Sequence, residues 1–172
     1  MIIDFILNIV KFLLILLIQL LVINNIELST YVNPYIYILF ILSLPVSMKP
    51  WMVVLLSFFT GMVMDTFSST PGLHMAATGL MGYLRNFYLQ FACSKEDFDG
   101  RIEPTVSRKG LVWFLVYVII MTLIHHVFLF YLEIYSFQEF FRTLFRVLSS
   151  ALFTVIIIGL GQLLFYRSNN QR

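Results

Sequence analysis

Six long apolar runs, separated by short polar connections, leave this chain few folds to choose from. From Phe12 to Ile23 no charged residue interrupts the first run. Runs of this kind follow to the end of the chain. They span about Phe5–Ile23, Tyr35–Val46, Trp51–Phe67, Leu73–Ala92, Leu111–Leu132 and Phe140–Tyr166. A helix crossing ~30 Å of hydrocarbon needs about 20 residues. Segments one, four, five and six meet that length and the third is marginal. The second is short and carries Pro45 near its end, so it reads as a thin, tilted span or a re-entrant piece. With 60% hydrophobic and only 12% charged residues over 172 positions, the chain lacks the polar surface that a soluble domain needs. Lipid must cover it. The expectation is an all-α integral membrane protein, a single polytopic domain over residues 1–172, built as a compact bundle of about six transmembrane helices.

Charge placement orients the bundle. Lys49 lies between segments two and three, and Lys95, Arg101, Arg108 and Lys109 between four and five. Arg167 and Arg172 lie after six. The other three connections, "NNIELSTYVNP", "SSTPG" and "EIYS", hold neither Lys nor Arg. Cytoplasmic loops carry the excess of Lys and Arg, so six spans with both termini cytoplasmic place every loop cation on one side. Trp51, Trp113 and Tyr166 then fall near inner ends and Tyr31, Tyr35 and Tyr131 near outer ones, as interface anchors. No small-residue cleavage site follows the first run, which reads as a retained span. The net charge of +2 is dispersed and gives no nucleic-acid stripe. The lone Cys93 excludes an internal disulfide and any multi-cysteine metal site. "SKEDFDGRIEPTVSRKG" balances four basic against four acidic residues and reads as a solvated connector.

Asp65 is the first candidate residue, because an ionisable group within a span is costly. Helical rise from Trp51 puts it ~20 Å from the inner edge. That depth favours capping of neighbouring amides in "TFSST", or pairing, over a mid-membrane proton relay. Arg85 is the partner to test, but it counts out ~10 Å deeper, and snorkelling to the inner interface is its simpler reading. Gly72, Ala76 and Gly79 form a small-residue face on segment four, with Thr78 and Gly82 a second pair. Ser150, Thr154 and Gly161 repeat the device in segment six. Such faces mark close helix contacts, within the chain or with a partner. In "SFQEFFRTLFR", Ser136 and Glu139 make a capping-box pattern. Phe140, Leu144 and Val147 take one face there, and Arg142 and Arg146 another. The two arginines read either as ligands of lipid phosphates or partner carboxylates, or as snorkelling side chains.

Chemistry is weakly signalled. His125 and His126 are adjacent and project about 100° apart on a helix, which is not metal-ligand spacing. Asp65, Ser68 or Ser69 and His74 contain the ingredients of a hydrolytic triad, without a nucleophile elbow or an oxyanion pattern. No cofactor-binding loop is present.

The stretch "LPVSMKPWMVVLLSFFTGMVMDTFSSTPGLHMAATGLMGYLR" carries Gly61-x-x-x-Asp65 at the end of span three, Pro71-Gly72 opening span four, and Ala76-Ala77 behind. In these residues and in segment order the chain resembles the rod-shape-determining membrane proteins of the MreD family, in their Bacteroidetes-like form. The resemblance implies a non-enzymatic subunit of the bacterial elongation complex in the inner membrane. It implies an MreC-like bitopic partner, and association with a SEDS polymerase, a class B penicillin-binding protein and MreB filaments, hence a part in cell shape and peptidoglycan synthesis. The architecture is also similar to the substrate-binding S-components of energy-coupling-factor transporters, which leaves a small-molecule-binding transporter subunit as the alternative. On either reading Asp65, Pro71, Gly72, Ala76, Gly79, Arg85, Arg142 and Arg146 are the candidate structural or partner-interface residues.

Overall fold

The computed structural model describes residues 2–26, 32–100, 102–134 and 139–169, the side chains of residues 2–5 and 165–169 excepted. Tyr31, Arg101, Ser136 and Arg172, and the side chains of Tyr166 and Arg167, lie outside the described set. Its regular structure is helical: α1 (Ile2–Leu21), α2 (Ile38–Leu42), α3 (Pro50–Ser68), α4 (Leu73–Ala92), α5 (Lys95–Asp99), α6 (Val106–Lys109), α7 (Leu111–Ile134) and α8 (Phe140–Asn169), with one 3-10 turn at Ile23–Asn25. Among the described residues four stretches are long and apolar enough to cross a membrane: Ile6–Asn25, Pro50–Ser68, Leu111–Ile134 and Phe140–Leu164. The 20-residue α4 has the length, but His74, Thr78, Arg85, Asn86 and Gln90 dilute its apolar character.

Helices α3 and α4 form an antiparallel hairpin. A Cβ added at Gly61 would lie 2.5 Å from the His74 carbonyl oxygen and 2.5 Å from Met75 Cα. One at Gly79 would meet the Phe58 ring at 3.0 Å, and one at Gly82 would meet Ser57 Oγ at 2.0 Å. Small residues thus let the two backbones approach along their length, as packing in lipid requires. This settles where the small-residue face of α4 points. Gly79 and Gly82 are spent on α3 inside the chain, and Ala76 is half-buried beside them.

Segment two differs most from its expected form. Only five residues are helical, yet Ile36–Leu42 and Leu44 are almost wholly buried apart from Leu39. Tyr37 sits level with the first turn of α4, where its hydroxyl meets His74. Leu44 meets Arg85 three turns further along. The Val46 amide donates to the Ile102 carbonyl (2.9 Å), beyond the α4 C-terminus. The segment therefore runs through the bundle centre from one end to the other, with short-range helical and turn bonds over residues 36–44 and irregular backbone before and after them. Irregular backbone at such depth is tolerated only inside protein, and other helices supply its partners. From α1, Gln19 accepts the Ile36 and Tyr37 amides at 2.6 and 3.2 Å and donates to the Pro34 carbonyl at 3.1 Å. From α8, Ser150 and Thr154 accept the Asn33 and Tyr35 amides at 2.9 and 3.0 Å. From α7, Tyr117 donates to the Leu42 carbonyl at 3.1 Å.

The described residues of the connector, 94–100 and 102–110, are held by specific contacts rather than merely solvated. Ser94 and Asp97 form a capping box that opens α5, Lys109 pairs with the buried Asp97, and Glu103 ties the connector to Lys11 of α1 at 3.0 Å. The Lys109 ammonium holds the Asp97 carboxyl below its usual range, and bonds from the Ser94 amide and hydroxyl add to the effect.

Candidate functional site

Asp65 ends up as the clamp of the hairpin. Ser69 (φ 55°) and Gly72 (φ 86°) both take left-handed backbone. This turns the chain so sharply that the first amides of α4 face back onto α3. The Asp65 carboxylate accepts four bonds there: from Thr70 Oγ1 (3.1 Å) and from the amides of Gly72 (3.0 Å), His74 (2.9 Å) and Met75 (3.0 Å). A helix N-terminus exposes such unpaired amides and favours negative charge. Capping is the role the depth favoured, but the amides are those of the following helix rather than of "TFSST". Gly61, one turn earlier on α3, opens the space in which that first turn of α4 sits. Pro71 is exposed at the tip of the turn.

Arg85 neither snorkels nor pairs with Asp65. It is fully buried, donating from Nε to Tyr117 Oη at 2.9 Å and from Nη2 to the Leu44 carbonyl. Arg146 is held by Glu133 at 2.9 Å with its guanidinium 4.3 Å from the Phe130 ring centre, while Arg142 pairs with Glu139 at 3.2 Å. Both therefore have partners within the chain. Tyr35, expected as an interface anchor, instead inserts among the rings of His74, His125, His126 and Phe130.

Between these landmarks lies a buried polar network. The Tyr37 hydroxyl is its hub, 3.0 Å from His74 Nδ1, 3.0 Å from Thr78 Oγ1 and 2.7 Å from His125 Nε2. His126 Nδ1 faces the Thr122 carbonyl at 2.9 Å. A carbonyl only accepts, so Nδ1 carries the proton. His125 Nδ1, 3.4 Å away, is then the unprotonated nitrogen, and His125 Nε2–H donates to Tyr37. His126 Nε2 lies 3.3 Å from Thr154 Oγ1, which closes the network onto α8. The adjacent histidines do project apart, yet both reach one cluster, because Tyr37 comes to them from the irregular segment. Tyr37, Gln19 and Tyr117 carried no signal in the sequence. Each belongs to an apolar run whose spacing does not mark it, and only the path of segment two reveals the polar demand they meet.

The arrangement does not orient a hydrolytic triad. The Asp65 oxygens meet the backbone N–H of His74, while its ring Nδ1 is engaged by Tyr37. Among the described residues no group of three or more His, Cys, Asp or Glu side chains is placed to hold a metal ion. Two concavities stand out among the described residues. An apolar groove of about 460 Å³ runs along the outside of the hairpin between Trp51, Leu55 and Phe58 of α3 and Tyr83, Asn86 and Phe87 of α4. A smaller polar pocket of about 250 Å³ lies at the turn end, beside Asn24, Asn33, Tyr35 and Ser68. No family model, curated protein or solved structure matches the chain, so a reading of its function rests on its own residues.

Proposed function

We propose that the chain is a non-enzymatic membrane subunit of the bacterial elongation complex, of MreD type, which binds an MreC-like bitopic protein. The observation that carries this reading is the α3–α4 hairpin. Gly61, Asp65 and Gly72, three of the residues on which the resemblance rests along with Pro71, Ala76 and Ala77, each hold the two helices in fixed register. A locked hairpin presents a rigid face to lipid. Its groove, with Trp51, Leu55, Phe58, Tyr83 and Phe87 exposed, is where the single membrane helix of a bitopic partner would lie. Rigid, pre-formed surfaces bind with less ordering cost. The same reading has segments two and four cross the bilayer with the four long apolar helices. That gives six crossings of the inner membrane, with both termini cytoplasmic.

A second reading, a small-molecule-binding subunit similar to transporter S-components, is favoured by one feature. The polar pocket opens where the irregular segment meets the turn end, the kind of place where discontinuous membrane segments form binding sites. Gentle extraction of the tagged protein from native membranes separates the two. Co-purification of a bitopic MreC-like protein with wall synthases supports the scaffold. Recovery of two ATPases and a coupling subunit would replace it with the transporter. Cysteine-accessibility mapping of residues 94–110 tests the orientation, and labelling from outside would reverse it.

A further inference from the structure

Arg85 lies ~18 Å along α4 from Leu73 and is 0% exposed. Its guanidinium is a cationic group, so a positive charge sits inside the bundle. The chain answers only part of it. Nε–H and Nη2–H reach two neutral oxygens, of Tyr117 and Leu44, and Nη1, with two further N–H groups, has no hydrogen-bond partner among the described residues. The described carboxylates are committed elsewhere or lie at the surface. Glu103, Asp97, Glu139 and Glu133 pair with Lys11, Lys109, Arg142 and Arg146. Asp65 caps α4, and Glu96 and Asp99 are exposed on α5. An uncompensated buried charge costs several kcal/mol, more than two neutral hydrogen bonds return.

We infer that Arg85 Nη1 is the ligand-binding end of a small-anion site, which takes a monoatomic anion of the size of chloride. The size follows from the surroundings. Arg85 is fully enclosed and lines neither the groove nor the polar pocket, which favours the smallest anions. Tyr88, Trp113 and Tyr117 pack into one aromatic cluster beside it, with ring centres 5.4–6.3 Å apart. The site also lies towards the end of the bundle that bears Lys49, Lys95 and Arg108, all exposed. Their field concentrates anions at that end. A halide there neutralises the guanidinium and so stabilises the folded bundle. This inference is independent of which partner the groove binds.

The test is thermal unfolding of the full chain in neutral detergent, in sodium chloride against sodium gluconate at constant ionic strength. Chloride is expected to raise the melting temperature progressively with its concentration. Above its dissociation constant, each tenfold increase lowers the unfolded-to-folded ratio about tenfold. Bromide should replace it, and crystals grown in bromide should show anomalous density within hydrogen-bond distance of Arg85 Nη1. Arg85→Gln should melt identically in both salts, and Arg85→Lys, which lacks the fork, should lose most of the response. Equal melting of the unaltered protein in chloride and gluconate would overturn the inference, as would bromide density elsewhere in the bundle but not at Arg85. Should Arg85→Gln fail to fold, these two measurements on the unaltered chain decide it.

Discussion

Replacing Gly61 with alanine tests the hairpin clamp directly. The new Cβ would stand 2.5 Å from both the His74 carbonyl oxygen and Met75 Cα. Both atoms are backbone, so no side-chain rotation relieves the clash. Restoring an ordinary contact of roughly 3.5 Å between carbon atoms moves the first turn of α4 away by about 1 Å. The three amide bonds to Asp65 measure 2.9–3.0 Å. A shift of that size stretches them past the range in which such bonds hold. Overpacking alone costs about 1–3 kcal/mol, and bonds to a charged acceptor contribute about 1.5–3 kcal/mol each. Partial loss of one or two bonds puts the total near 4 kcal/mol. For a chain of this size that is a fall in melting temperature of roughly 8–16 °C. The assay is thermal unfolding in detergent, with Gly161→Ala as control. An added Cβ at Gly161 meets nothing within 4 Å, so that variant should match the parent or gain up to about 1 kcal/mol of helix propensity. Gly61→Ala combined with Asp65→Asn should cost clearly less than the sum of the two, because both act on one turn. Additive effects, or a Gly61→Ala protein melting within a degree of the parent, would refute the clamp.

Other outcomes follow from the same structure. Asp65→Asn keeps one carboxylate-like oxygen but turns an NH2 group towards two of its donors, so it should cost about 3 kcal/mol and reduce partner co-purification; unchanged melting and unchanged recovery of the partner would count against both roles. Tyr37→Phe strips the hub hydroxyl from His74, Thr78 and His125 together and should destabilise by about 2–4 kcal/mol, read as a lower melting temperature with the helical circular dichroism of the folded state retained. The Asp97 carboxyl is held below its ordinary value of 3.8 in the folded chain, so it stabilises the fold fully above that value, and this contribution is lost as pH falls through the lower folded value. Asp97→Asn should therefore melt lower at neutral pH and show a shallower decline as the pH falls through and below 3.8, a difference that acid titration of both proteins measures.

The long helices were legible because a run of apolar residues near membrane length admits one secondary structure. Segment two was not, and the reason is physical. Its conformation depends on side chains from distant positions, Arg85, Tyr117, Ser150 and Thr154 among them, and no local pattern in Tyr35–Val46 refers to them. The histidines show the same limit. A helical wheel separates His125 from His126 correctly, but it cannot include Tyr37, which is contributed by backbone outside any long helix. For Asp65 the residue and its capping character were visible while its partners were not. They depend on two left-handed residues, and one of these, Ser69, is a type that seldom takes that conformation. Arg85 looked like a snorkelling residue because counting along α4 finds the interface near, and counting along one helix is blind to a neighbour that offers carbonyl oxygens nearer still.

The side-chain bonding of segment two bears on how the chain is made. Ribosomes deliver residues in order, and this stretch emerges after α1 but before α4, α7 and α8. At that moment Gln19 is available, whereas the acceptors and donors for Asn33, Tyr35, Leu42 and Leu44 are not yet synthesised. Until α8 arrives the segment must keep its amides wet at the bilayer surface or shield them in some transient helix. Its final threading is thus a late step of biogenesis, and a chain truncated after residue 134 should insert yet remain open to protease between residues 32 and 49.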